Sequence, residues 1–120
     1  MTLKLIVNQL FQEAITAHQE GKLEETESCC RKAIKQKVNS AKIYFNLGIT
    51  LNELGRLEES EESYKIAIEL KSDYAEAYNN LGNTLLKLDR FERAIVSFLS
   101  ILPKLLYASA KSGLSSITFL

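Results

Sequence analysis

The side chains able to do covalent or metal chemistry are few in this 120-residue chain and badly spaced for it. Cys29 and Cys30 are adjacent, so they cannot build a disulfide framework, and two thiols with the single His18 make a poor zinc set. They read as small apolar fillers or surface positions on a helix, in a reducing, cytoplasmic setting. His18 stands one turn before Gly21, at a helix end where a cation suits the macrodipole, and no nucleophile pairs with it. The acidic run Glu58, Glu59, Glu61 and Glu62 lacks the turn glycine and ligand spacing of a calcium loop. It reads as the opening of a helix, favouring the positive helix end and solubilising an outer face. No phosphate-cradling glycine loop, zinc motif or nucleophile elbow is present. What remains is the chemistry of the amide. Asn46 and Asn80 can each donate and accept, so either can pair with a peptide bond whatever side chain flanks it.

The elements that position these amides come from a repeat. Sliding the sequence past itself by 34 residues sets Tyr44, Asn46, Leu47, Gly48 and Leu51 on Tyr78, Asn80, Leu81, Gly82 and Leu85. The same shift carries Phe11, Ile15, Gly21 and Leu23 onto Phe45, Ile49, Gly55 and Leu57. The units are Val7–Ser40, Ala41–Tyr74 and Ala75 to about Leu102, within a repeat domain spanning about residues 4–102. Each unit reads as two helices. Tyr44, Leu47, Leu51 and Leu54 recur at three and four, one stripe on a helix, and Gly55 ends it by taking the left-handed conformation. Leu57, Tyr64, Ala67 and Ile68 mark the return helix. Asp73 and Glu76 form a capping-box-like pair before the third unit, and Asp89 stands where the other turns carry glycine. The fold class is all-α, in tandem antiparallel hairpins. One hairpin cannot bury its own apolar face, so neighbours must stack.

Composition narrows the function. Apolar residues make up 46%, enough for a core, and 15 basic against 15 acidic residues give no cationic surplus for nucleic acid. No stretch of about 18 apolar residues spans a membrane. The patch from Phe98 to Tyr107 is broken by Ser100, Pro103 and Lys104, and the first ten residues lack a signal-peptide core. No cofactor is implied.

The register resembles the tetratricopeptide repeat family. Its pattern is answered in the second unit by Tyr44, Leu47, Gly48, Leu51, Tyr64 and Ala67, and in the third by Tyr78, Leu81, Gly82, Leu85, Ala94 and Phe98. The first unit answers more weakly, with Leu10, Ala14, Ala17, Cys30 and Ala33. The resemblance implies a right-handed superhelical solenoid that binds protein, with an extended peptide in a groove lined by the first helix of each unit. On that register the groove positions are Phe11, Gln12 and Ile15 in the first unit, and Lys42, Phe45, Asn46 and Ile49 in the second. Asn79, Asn80 and Asn83 complete them in the third. Asn46 and Asn80 then resemble the asparagine ladder of the O-linked N-acetylglucosamine transferase repeat domain, with Phe11, Phe45, Ile15 and Ile49 taking apolar side chains. The plain alternative is that these asparagines are solvated or bond neighbouring helices. The family's carboxylate clamp is matched by Lys42, Asn46 and Asn80, but its basic pair would fall on Ala110 and Leu114.

The resemblance makes the chain a non-enzymatic adaptor or scaffold. A rival reading is a truncated repeat segment of a larger glycosyltransferase or methyltransferase. Residues 103–120 leave the register: Pro103 ends or bends the last helix, and the segment after it reads as an irregular tail or a short capping helix. An apolar end left open there predicts self-association.

Overall fold

The computed structural model describes residues 2–103 and 106. Among them six helices are delimited and no strand, α1 (Leu3–Gln19), α2 (Leu23–Lys35), α3 (Ala41–Glu53), α4 (Leu57–Leu70), α5 (Ala75–Lys87) and α6 (Phe91–Leu99), with Leu102, Pro103 and Leu106 helical beyond them. They pack as three successive hairpins, α1 on α2, α3 on α4 and α5 on α6, with α2 meeting α3 and α4 meeting α5 between hairpins. None of the described helices is long and apolar enough to cross a membrane.

The turns are made where the sequence places them. Gly21 and Gly55 have φ of 74° and 79°, and Asp89 takes the same left-handed conformation at 59°. Lys37 does so too, at 61°, after α2. It has neither glycine's freedom nor an Asp or Asn side chain, and nothing in its type announces the conformation. Thr2 and Ser40 cap α1 and α3 by accepting from the Leu5 and Ile43 amides. The expected Asp73–Glu76 box does not form. The N-cap of α5 is Tyr74, one residue later, and its side chain makes no capping bond. Its ring instead packs on Phe45, centroids 4.8 Å apart. The return helices start at Lys22, Arg56 and Arg90, also without a side-chain cap.

Two core clusters run through the stack. Ala14, Cys30 and Ala33 of the first hairpin meet Ile43, Leu47 and Leu51 of α3. Phe45, Tyr64 and Ala67 of the second meet Ala77, Leu81 and Leu85 of α5. Within hairpins the close approach is set by glycine against an aromatic ring: Gly48 faces Tyr64, and Gly82 faces Phe98. The same polar stitch holds the same pair of helices in both. Ser63 Oγ donates to the Tyr44 carbonyl at 2.7 Å, and Ser97 Oγ to that of Tyr78 at 2.8 Å.

The acidic run on α4 is not solvated throughout. Glu61 is only 5% exposed and takes Arg90 at 2.5 Å, Lys65 at 3.0 Å, and Arg93. One repeat earlier Glu27 takes Arg56 and Arg31, both at 2.8 Å. A carboxylate on one return helix therefore meets the arginine that opens the next. Burial works to raise the Glu61 pKa, but Lys65 and Arg93 outweigh it and hold the carboxyl below its ordinary value.

α6 ends at Leu99, four residues before Pro103. After a turn at Ser100 and Ile101 the chain is helical again at Leu102, Pro103 and Leu106, so Pro103 stands in the opening turn of a further helical segment, where its missing N–H goes unneeded. Residues 104, 105 and 107–120, on which the tail reading rests, lie outside the described residues.

Candidate functional site

The first helices of the hairpins, α1, α3 and α5, share a face, and two recesses open between them. One, about 160 Å³, lies between α1 and α3 and is lined by Ala14, Ile15, His18, Asn46, Ile49 and Thr50 among others. The next, about 240 Å³, lies between α3 and α5 and is lined by Ile49, Asn52, Tyr64, Asn80, Asn83 and Lys87 among others. Ile49 lines both, so the recesses adjoin across it. Each combines an aliphatic wall with amide and hydroxyl groups, which suits a ligand with an apolar side chain on a polar backbone.

The helices are tied across this face by a repeated contact. His18 Nε2 lies 3.3 Å from Glu53 Oε1, and 34 residues on Lys87 Nζ donates to Asn52 Oδ1 at 2.7 Å. Asn52 Nδ2 also donates to Thr84 Oγ1 at 2.6 Å. These bonds tie α1 to α3 and α3 to α5 through polar side chains.

Ile15, Asn46, Ile49, Asn80 and Asn83 line the two recesses. Phe45 does not: it is 8% exposed, buried among Tyr64, Ala67 and Tyr74. Its ring points into the joint between hairpins, because the groove register and the joint register are neighbouring stripes on α3 and a large apolar ring takes the drier one. Phe11, its counterpart one repeat earlier, is half-buried under Lys42, whose ammonium sits 5.4 Å from the ring centre. Gln12 and Asn79 are exposed and line neither recess. Asn80 hydrogen-bonds the Tyr64 side chain. Burial pushes that phenol up to about 12, against the bonds from Asn80 and Ser60. The Asn80 contact links α5 to α4. Positions Ala110 and Leu114, needed for a carboxylate clamp, lie outside the described residues.

His18, Asn52 and Thr84 are not evident from sequence as part of this face. The shift of 34 carries His18 onto Asn52 and Glu53 onto Lys87, so the contact is periodic in position. Its residue types change, which hides it. No group of three or more His, Cys, Asp or Glu side chains among the described residues could hold a metal ion.

No curated protein matches the chain. Among solved structures, the second repeat domain of human RPAP3, determined with an HSP70 peptide, superposes with a TM-score of 0.81 at 20% identity, over 86% of each chain. The Arabidopsis OM64 repeat domain gives 0.81 at 18% identity, over 86% of this chain and 85% of that one. A Thermobaculum terrenum O-GlcNAc transferase gives 0.79 at 22% identity, over 87% of this chain and 20% of that one. At these identities the likeness is one of fold. A TPR repeat model matches residues 50–89 and a tetratricopeptide repeat model matches residues 29–62, together running through half of the chain. With glycine-against-ring hairpins recurring every 34 residues, the chain belongs to the tetratricopeptide repeat family.

Proposed function

We propose that the chain is a non-catalytic protein-interaction module that holds an extended peptide along α1, α3 and α5. The observation that carries this reading is the pair of adjoining recesses, with Asn46 in one, Asn80 in the next and Ile49 shared. Asn46 and Asn83 present amides to a peptide backbone, while Ile15 and Ile49 receive an aliphatic side chain. The structures of RPAP3 repeat domains with HSP70 and HSP90 peptides support a peptide as the ligand class. Groove charge is mixed, with Glu53 beside His18 and Lys87 held by the neutral Asn52 amide, so an acidic tail is not specifically favoured. The repeat domain is taken as about residues 4–102, and the module as an adaptor or scaffold in the cytoplasm, where its two thiols stay reduced.

The test is a displayed random-peptide library selected on the full chain. Selected peptides should share an aliphatic position and lose roughly tenfold in affinity on Asn46→Ala, the value of about one hydrogen bond. Failure to select any peptide, or peptides indifferent to Asn46→Ala and Ile49→Ala, would reject the groove.

A second reading is favoured by the match that covers most of this chain but a fifth of the transferase: the repeats are a substrate-holding segment of a longer enzyme. A reading frame that runs on into a catalytic domain would select it.

A further inference from the structure

The outer face of α6 differs in kind from the same face of α2 and α4. Phe91, Ile95 and Leu99 lie four residues apart on one stripe of α6, Leu102 follows just past its end, and each is more than half exposed. Val96, beside it, is 64% exposed. Moved back by 34 residues, the central positions are Glu61, Glu62 and Lys65, and by 34 more they are Glu27, Ser28 and Arg31. In those repeats the carboxylate and its i,i+4 base form the ion pairs that fasten one hairpin to the next. The third hairpin has no such fastener. It presents Ile95 and Leu99 instead, so this end is not built to receive another hairpin of the same kind.

The opposite end of the stack is polar. Where α3 and α5 bury Ile43 and Leu47, or Ala77 and Leu81, against the preceding hairpin, α1 carries Gln9 and Glu13, hydrogen-bonded to each other at 3.3 Å. Seating that end on the α6 stripe would strip water from Glu13 with no base opposite. Leu5, Leu70 and Leu86 are also exposed but stand singly on other helices, so the broadest apolar surface that the described residues of a second copy offer the stripe is the stripe itself. We propose that two copies pair through their α6 stripes in an isologous dimer that closes on itself and does not grow into a filament. The five side chains expose roughly 500 Å² per copy, so two copies reach the roughly 1,000 Å² that a specific interface needs. A net charge of zero offers no repulsion against the pairing. The recesses are formed by α1, α3 and α5 and stay open in such a dimer, independently of what they bind.

Sedimentation of the full chain across a concentration series tests this. The wild type should move from monomer to dimer and stop there. Ile95→Glu with Val96→Glu and Leu99→Lys restores the side chains of α4. It should raise the dimer dissociation constant by roughly 100-fold or more while circular dichroism stays helical. Val96→Glu alone, at the most exposed position, should weaken the dimer without touching the fold. A wild type that remains monomeric, as it would if the chain's own final residues covered the stripe, overturns the proposal. So does a series of oligomers that grows without limit, or a dimer indifferent to Val96→Glu.

Discussion

Gly48 lies against the ring of Tyr64 so closely that a Cβ at that position would sit 2.6 Å from Tyr64 Cε1. The contact fixes how near α3 comes to α4, and Ser60 Oγ, donating to the Gly48 carbonyl at 2.6 Å, locks the same crossing. Tyr64 is 2% exposed and bridges both hairpins, so it has no free direction in which to move. Gly48→Ala should therefore cost about 1–3 kcal/mol, read as a lowered urea midpoint at unchanged slope. Gly82→Ala meets Phe98, which is half-buried in the last hairpin and freer to swing. Its cost should be smaller. Equal midpoints for Gly48→Ala and wild type would contradict this packing.

The Glu61 cluster should show in a charge series. Its basic partners are 39–48% exposed and can be solvated when left alone, so Glu61→Ala should cost only about 1–2 kcal/mol. Glu62→Ala, on the exposed side of the same helix, should change the midpoint little. A double-mutant cycle between Glu61 and Arg90 should return a coupling, and a zero coupling would disconnect the joint from the ion pair.

Acid should loosen the same joints. A hydrogen bond with Arg31 leads the effects that hold the Glu27 carboxyl below its ordinary value, and Glu61 is held low by Lys65 and Arg93 against its own burial. Both carboxyls are lower in the folded chain than in the unfolded one. Their contribution is thus present above the unfolded value of about 4.3 and is lost as pH falls through the folded one. Urea midpoints should hold from pH 6 to about 5 and drop below it, with a shallower drop in Glu61→Gln. A drop of the same steepness in that variant would assign the acid sensitivity elsewhere.

The two thiols should behave differently. Burial pushes the Cys30 thiol up to about 11, and the ring of core residues around it shuts out reagent. Cys29 is half-buried, its thiol also raised by burial and by Glu13. With a disulfide-exchange reagent at neutral pH, Cys29 should react first. Cys30 should react only at the rate at which the first hairpin opens, accelerating through the unfolding transition. Simultaneous fast labelling of both would refute the buried position.

Much of this architecture is legible in the sequence because it depends on size. Glycine against a ring, and glycine or aspartate at a turn, recur at fixed intervals and leave a trace in residue type. The recesses are half legible: Asn46, Ile49 and Asn80 line them because their register tracks the repeat. Phe45 is not legible, because the stripes facing groove and joint adjoin on α3 and periodicity alone does not say which is drier. The contacts His18–Glu53 and Lys87–Asn52 are hidden because one geometry is served by different residue types. Glu61 reads as a solvated acid because its arginine partners lie 29 and 32 residues away. Composition around it gives no hint of them.

Arg56 and Arg90 are the N-cap residues of α4 and α6, where a helix's exposed amides already carry positive charge. A hairpin excised on its own would keep that adverse pairing and lose the acid supplied from next door, Glu61 for Arg90 and Glu27 for Arg56, which retains Glu59 of its own helix. The second and third modules are therefore poorer at standing alone and are supported by their predecessors. Melting should propagate as one concerted event, and a single severed joint should be felt along the whole array.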